Sequence, residues 1–264
     1  MPRLSANLSM LFTEVPFLER IALAREHGFN AVECWFPYDH EPSEIRRALA
    51  AHQVQLIGIN TPPGDPARGE FGFAALPERE ADFMRSFNQA LEYAIALDCP
   101  NIHVLSGRLD PTTQREHADD VFVANVSRAA ERAKEAGKTL LIEPLNPTDR
   151  PRYFLSRQAQ ASALIERIGS AQVKIMFDVY HVQMTEGNII ARLRERIGHI
   201  GHIQIADVPG RGEPGTGEIN FEFVLAAIDA TGYDGWVGCE YKPTSRTVAG
   251  LSWRQTYAAT KRRM

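Results

Sequence analysis

Short apolar runs alternate with amphipathic segments eight times along this chain, and that alternation leaves few folds open. Apolar runs of this length read as strands buried on both faces. They fall at Leu4–Leu8, Ala31–Trp35, Val54–Asn60, Asn101–Leu105, Thr139–Glu143, Val173–Asp178, Ile200–Ile205 and Gly235–Glu240. Helical periodicity places helices at Val15–His27, Pro42–His52, Pro77–Leu97, Thr112–Ala136, Ser156–Ile168, Gly187–Ile197, Phe221–Ala230 and Thr247–Thr260. Gly28 and Gly137 stand where helix C-caps are expected. Strand–helix pairs build parallel sheets, and eight pairs in 264 residues fit a closed (β/α)8 TIM barrel of ~250 residues better than an open doubly wound sheet. No linker-like segment divides the chain, so one α/β domain over residues 1–264 is expected.

Active sites of such barrels gather at the C-terminal mouth of the strands. Four successive strands here finish on an oxygen donor: Glu143, Asp178, Gln204 and Glu240. One acid at a strand end is an ordinary salt-bridge partner, but four in succession mark a site. Three carboxylates packed together repel one another, and a divalent cation removes that cost. Three carboxylates and one amide oxygen make a hard, all-oxygen donor set, which suits Mg²⁺ or Mn²⁺ better than zinc. His181 lies three residues past Asp178, close enough to contact a substrate oxygen. Arg211, in the Gly/Pro-rich loop Asp207–Glu218, suits a substrate carboxylate through two parallel hydrogen bonds.

Other features narrow the function. A net charge of −4 without a dense basic stripe argues against nucleic-acid binding. No uncharged apolar run reaches the ~18 residues a membrane helix needs, and Met1–Leu4 opens no signal peptide. Cys34, Cys99 and Cys239 lack CxxC spacing, which points to a reducing, cytoplasmic setting. Cys239 should point away from Glu240 into the core. Gly210, Gly212 and Gly215 match a dinucleotide fingerprint in spacing, but Pro214 removes a donor, and Asp207, Glu213 and Glu218 would repel phosphate. Glu33, Asn60 and His103 also sit near strand ends, Glu33 as a hydrogen-bond partner for the ligands. Trp35, Phe36 and Tyr38 are candidate pocket walls, and Phe12 with the segment Asn60–Gly72 a candidate lid.

Several segments together carry a resemblance: Ser5–Phe12, Ile142–Asn146, Asp178–His181, His202–Asp207, Arg211–Asn220 and Gly238–Pro243. They resemble the hydroxypyruvate isomerase family of xylose-isomerase-like barrels, over nearly the whole chain. A sister group, the 2-oxo-tetronate isomerases, shares most of them. The opening Met1–Arg3 and Phe12–Phe17 lean towards that sister group; Glu143–Asn146 and Glu213–Gly217 lean towards hydroxypyruvate isomerase. The resemblance implies an aldose–ketose type isomerase of a small hydroxy-keto acid. It implies Glu143 and Glu240 as proton donor and acceptor, and Glu143, Asp178, Gln204 and Glu240 as ligands of a divalent metal. Related ketose 3-epimerases usually place His where Gln204 stands, which counts against a sugar epimerase. Related metal-dependent endonucleases need more His ligands and a basic groove, which this chain lacks. The sequence leaves the oligomeric state open, a homo-oligomer included.

Overall fold

The structure is a computed structural model and describes residues 2–255. Eight parallel strands close in sequence order: β1 Arg3–Asn7, β2 Ala31–Glu33, β3 Gln55–Asn60, β4 Asn101–His103, β5 Thr139–Ile142, β6 Val173–Asp178, β7 Ile200–Ile205 and β8 Trp236–Cys239. β1 pairs β8, Leu4 facing Val237 and Ala6 facing Cys239, so the barrel has no free edge. Around it run α1 Phe17–Glu26, α2 Pro42–His52, α3 Glu80–Ala96, α4 Arg115–Glu135, α5 Gln158–Ile168, α6 Val179–Thr185, α7 Ile189–Arg196 and α8 Phe221–Ala230. The expected (β/α)8 barrel is the one observed.

Local chemistry sets where the elements begin. Pro42 opens α2, where a missing N–H costs nothing, and Glu41 and Glu44 form a reciprocal capping box. The Asn220 side chain accepts from Phe223 N at 3.1 Å and starts α8. Five helices start two or three residues later than their periodicity suggests, α5 at Gln158 and α7 at Ile189 among them. Pro16 is the N-cap of α1, so the helix begins at Phe17 rather than Val15. Residues 77–79 and 112–114 lie in turns and cap positions, so α3 and α4 begin at Glu80 and Arg115.

Two departures are larger. A short helix, α6, follows β6 directly, in a stretch to which the sequence reading assigns no element. Asp178 ends the strand and caps this helix in one step, its carboxylate accepting from Tyr180 N at 2.9 Å. The expected last helix is represented by a turn at 247–248, a 3₁₀ helix at Ala249–Leu251 and helical residues 253–255; residues 256–260, like Lys261–Arg263, lie outside the described residues.

The core has two layers. Between strands and helices, Phe83 stacks on Phe87 and Phe122 on Phe154, all buried. Cys239 is buried here as expected, and burial pushes its thiol up to about 12. Within the barrel the mouth half is polar: Asn7, Glu33, His202 and Gln204 are all buried. No helix of the described residues is long and apolar enough to cross a membrane.

The segment after β3 is tied down at Gly72, which bridges to Ser106 with φ +93°. A Cβ there would lie 2.3 Å from the Leu105 carbonyl oxygen. Gly72→Ala should therefore destabilise the protein by ~1–3 kcal/mol in urea unfolding. Gly137→Ala, also at positive φ but with nothing within 4 Å of its Cβ, should cost less.

Candidate active site

The site grows from buried carboxylates at the strand ends. Asp178 ends β6, Gln204 lies one residue inside the end of β7, and Glu143 and Glu240 stand one residue past β5 and β8. All four are buried. Burial first, then the charges of Glu240 and Asp178, pushes the Glu143 carboxyl well above the ordinary carboxylate range. Burial likewise raises Glu240 to about 8 and Asp178 to about 6, in both cases against the opposing pull of Arg211. Three acids that resist ionising together form a site built for positive charge.

Gln204 shows how the neighbours aim a ligand. Its Nε2 donates to Glu33 Oε1 at 2.8 Å and to Glu240 Oε2 at 2.5 Å. With both amide hydrogens used, Oε1 is the free end, and it is buried without a hydrogen-bond partner. Glu143 Oε1 is in the same condition. Buried acceptors without donors are costly unless something positive meets them, so the donor set fits a hard divalent cation. Glu33 is the anchor. It accepts from Asn7 Nδ2 at 3.2 Å and faces His202 Nε2 at 2.6 Å. Burial alone would raise the Glu33 carboxyl, but His202, Gln204 and Asn7 outweigh it and hold it below its ordinary value. Asn7 Nδ2 also reaches Glu240 Oε2 at 2.9 Å.

Glu143, Asp178 and His181 bring ligand atoms within 4.8 Å of one another, a cluster that could hold a metal ion. His181 nevertheless presents a donor to the site. Its Nδ1 receives Asn146 N at 3.2 Å and lies 2.8 Å from Asn146 Nδ2. The backbone N–H can only donate, so Nδ1 is the acceptor and the proton sits on Nε2. Nε2 faces Asp178 Oδ2 at 3.7 Å and Glu143 Oε1 at 3.9 Å. Burial, then the charges of Arg211 and Arg150, holds the imidazole neutral, well below its usual range. Asn146 is itself held through Asp149, which accepts from Tyr180 Oη at 2.9 Å.

Arg211 reaches the mouth as the sequence suggests, at a backbone φ of +55°. Its Nη2 donates to Glu240 Oε1 at 2.5 Å and to Asp178 Oδ2 at 3.4 Å, and its guanidinium lies over the Tyr180 ring at 5.1 Å. Two site carboxylates therefore already accept from this arginine.

A cavity of about 100 Å³ opens over these groups, lined by Glu143, Glu240, His181, Arg211, Trp35 and Phe36 among others. A water needs ~10–15 Å³ by this measure, so there is room for several waters or one small polar molecule. Asn60 and Phe71, from the segment expected as a lid, join the wall. Phe12 does not: it is buried, stacked on His27 and set edge-on to Phe29. Tyr38 is not a wall residue either; its hydroxyl donates to Asn60 O. The glycine-rich loop has no free cradle for phosphate, because Asp207 accepts from the backbone N–H of Val208, Gly215, Gly217 and Ile219.

Asn7, His202, Asn146 and Arg150 were not legible as site residues. His202 had a signal, since it alternates with Gln204 on one strand face. Asn146 and Arg150 come from a loop, where spacing carries no orientation.

This chain belongs to the xylose isomerase-like TIM barrel family, whose profile matches residues 21–257. Within that family it groups with isomerases. It is 46% identical over 97% of its length to a 2-oxo-tetronate isomerase of Cupriavidus necator, covering 99% of that protein. It is 42% identical over 97% of its length to the hydroxypyruvate isomerase of Escherichia coli, covering 100% of it. A solved Brucella melitensis structure, titled AP endonuclease, family 2, superposes with a TM-score of 0.94 at 42% identity over 97% of this chain and 99% of that one.

The Glu33 contacts carry a stability cost of their own. Glu33→Gln removes the carboxylate that faces His202 and sets an amide against the Gln204 amide. Breaking a buried pair costs ~3–5 kcal/mol, so the variant should lose about that much in urea unfolding.

Proposed function

We propose that this protein is a divalent-metal-dependent isomerase that interconverts hydroxypyruvate and tartronate semialdehyde, the ketone and aldehyde forms of one small hydroxy-keto acid. The observation that carries this reading is the pair Glu143 and Glu240, both buried and lining one small cavity, with Glu143 Oε1 and Gln204 Oε1 buried without donors. The sequence relatives support it: the E. coli protein named hydroxypyruvate isomerase matches over its whole length. A second reading, 2-oxo-tetronate as substrate, is favoured by the higher identity of the C. necator relative. Both substrates undergo the same chemistry.

That chemistry moves one proton between adjacent carbons. The base takes a proton from C3 of hydroxypyruvate while the C2 carbonyl oxygen gains one, giving an enediol. Returning a proton to C2 and taking one from the C3 oxygen gives the aldehyde. Glu143, Asp178, Gln204 and Glu240 would hold the metal. Mg²⁺ or Mn²⁺ suits this all-oxygen set, and when bound it acts as a Lewis acid towards the substrate's oxygens. Glu143 and Glu240 exchange the carbon-bound proton from the two sides. A positioned acid–base group of this kind contributes ~10²–10⁴-fold. His181 points its Nε2–H at the same space and donates to a substrate oxygen. Trp35, Phe36 and Phe71 exclude water from the reacting carbons. The endonuclease title of the Brucella structure is not carried over, because a cavity of about 100 Å³ without a basic groove offers no bed for a nucleic-acid backbone.

The deciding experiment strips the protein with chelator, restores Mg²⁺ or Mn²⁺, and follows hydroxypyruvate, 2-oxo-tetronate and a ketohexose by NMR. Metal-dependent conversion of either acid is expected, and turnover of the ketohexose alone would replace this reading with an epimerase. Glu143→Gln and Glu240→Gln should each lower kcat by ~10² or more with the fold intact by circular dichroism; near-normal activity in either would remove the paired-glutamate mechanism.

Metal affinity should depend on pH. Glu240, raised to about 8, keeps its proton at neutral pH, and a cation must displace it. Glu143 is raised as well, so binding should release protons from both glutamates and strengthen as pH rises to 8. Calorimetry in two buffers of different ionisation enthalpy measures the proton count.

A further inference from the structure

We propose that Arg150, rather than Arg211, binds the substrate's carboxylate. The inference rests on the small-keto-acid reading and names the group that recognises the acid end. Two arginines line the cavity that holds Glu143, Glu240 and His181. Arg211 already donates to Glu240 and Asp178, and its Nε is buried without a partner. Its positive charge is offset by those two carboxylates, and turning it to a substrate anion would leave both of them without it.

Arg150 is differently placed. It sits in the loop between β5 and α5, where its backbone N–H donates to Asn146 O at 3.0 Å. Its guanidinium lies over the Phe71 ring, the central carbon 4.1 Å from the centroid. Among the described residues its side-chain N–H groups make no hydrogen bond, which leaves them for a bidentate carboxylate. Among the described residues no carboxylate forms an ion pair with it. Its charge is felt at the reacting centre, since it is among the causes that keep His181 neutral.

The position also gives the substrate a direction. Arg150, Phe36 and Phe71 border both the inner cavity and an outer cleft that holds Arg108 and Tyr153. A carboxylate held at that border points the carbonyl and hydroxyl carbons inward, to Glu143, Glu240 and His181. Dihydroxyacetone, in which a CH₂OH replaces the carboxylate of hydroxypyruvate, offers nothing for this contact.

The test compares wild type, Arg150→Met and Arg150→Lys. Trp35 fluorescence reads the binding of hydroxymalonate, an unreactive acid, and NMR reads turnover of the two keto acids. A lost charge-assisted hydrogen-bond pair is worth about tenfold to hundredfold in affinity. Arg150→Met should weaken hydroxymalonate by that factor and raise KM for the reacting acid while kcat is largely kept. Arg150→Lys should recover part of the loss, and dihydroxyacetone binding should be equal in all three. Equal hydroxymalonate affinity in wild type and Arg150→Met, or no binding to either, overturns the assignment. Acid turnover with no KM change in Arg150→Met overturns it and leaves the isomerase reading standing. A wild type that converts neither acid, yet loses hydroxymalonate affinity on Arg150→Met, removes the isomerase reading and keeps the anion site.

Discussion

His202 and Glu33 face each other at 2.6 Å inside the barrel, both buried, and the polar upper half of the core is arranged around that contact. An isolated carboxylate at this depth would be protonated or would unfold its surroundings. His202 supplies the opposing group, and Asn7 and Gln204 supply amide hydrogens. What the barrel obtains in exchange is direction. Gln204 could present either end of its amide to the site, but a carboxylate beneath it accepts only from nitrogen, so the oxygen is left for the cavity. A Glu at 204 would add a fourth negative charge beside Glu240, and an apolar residue would leave Glu33 without a donor. Glycine at 238 belongs to the same constraint, since a Cβ there would lie 2.5 Å from Glu33 Oε1.

Above that layer the problem is one of charge. Glu143, Asp178 and Glu240 are all pushed above their ordinary range by burial; Asp178 adds to the difficulty of ionising Glu240, and both add to that of Glu143. Arg211 answers part of it, by contact with Asp178 and Glu240. Glu143 has no such partner: His181 lies 3.9 Å and His103 3.6 Å from its oxygens, and burial holds both imidazoles neutral. Glu143 is thus the acid with no cation in contact with it, and its Oε1, like that of Gln204, is buried without a donor. A base that takes a proton from carbon needs high basicity and a place to be ionised, and a cation at this point reconciles the two.

The strands were readable because their signal is one-dimensional. An apolar run ending in Asp178 or Glu240 announces a buried strand and a polar tip, and a closed barrel then forces those tips together. The barrel, the four oxygen donors and the reach of Arg211 followed from that logic. Helix α6 did not, because the step that creates it is a side-chain hydrogen bond from Tyr180 N to Asp178, and seven residues show too little periodicity to reveal a helix. The tautomer of His181 depends on Asn146, thirty-five positions away in sequence. Phe12 was misplaced for a related reason: beside a strand end it suggested a lid, but its own backbone turn, at φ +59°, sends the ring into the core against Phe29.

The division between strand and loop also separates two kinds of function. Residues on the strands fix the reacting centre, and they are braced from below by Asn7, Glu33 and His202. The loops supply what lies above: Phe71 from the segment after β3, Arg150 from the segment after β5 and Arg211 from the segment after β7. A loop can change length or lose an arginine without disturbing the network under Glu240. Relatives of this chain are named for two acids, hydroxypyruvate and 2-oxo-tetronate, and on the proposed function a change of loop would alter the acid admitted while proton transfer stays the same. On the proposed function the substrate is selected at the rim, where Arg150 lies over Phe71, and the reaction at the floor, where Glu33 turns the Gln204 amide.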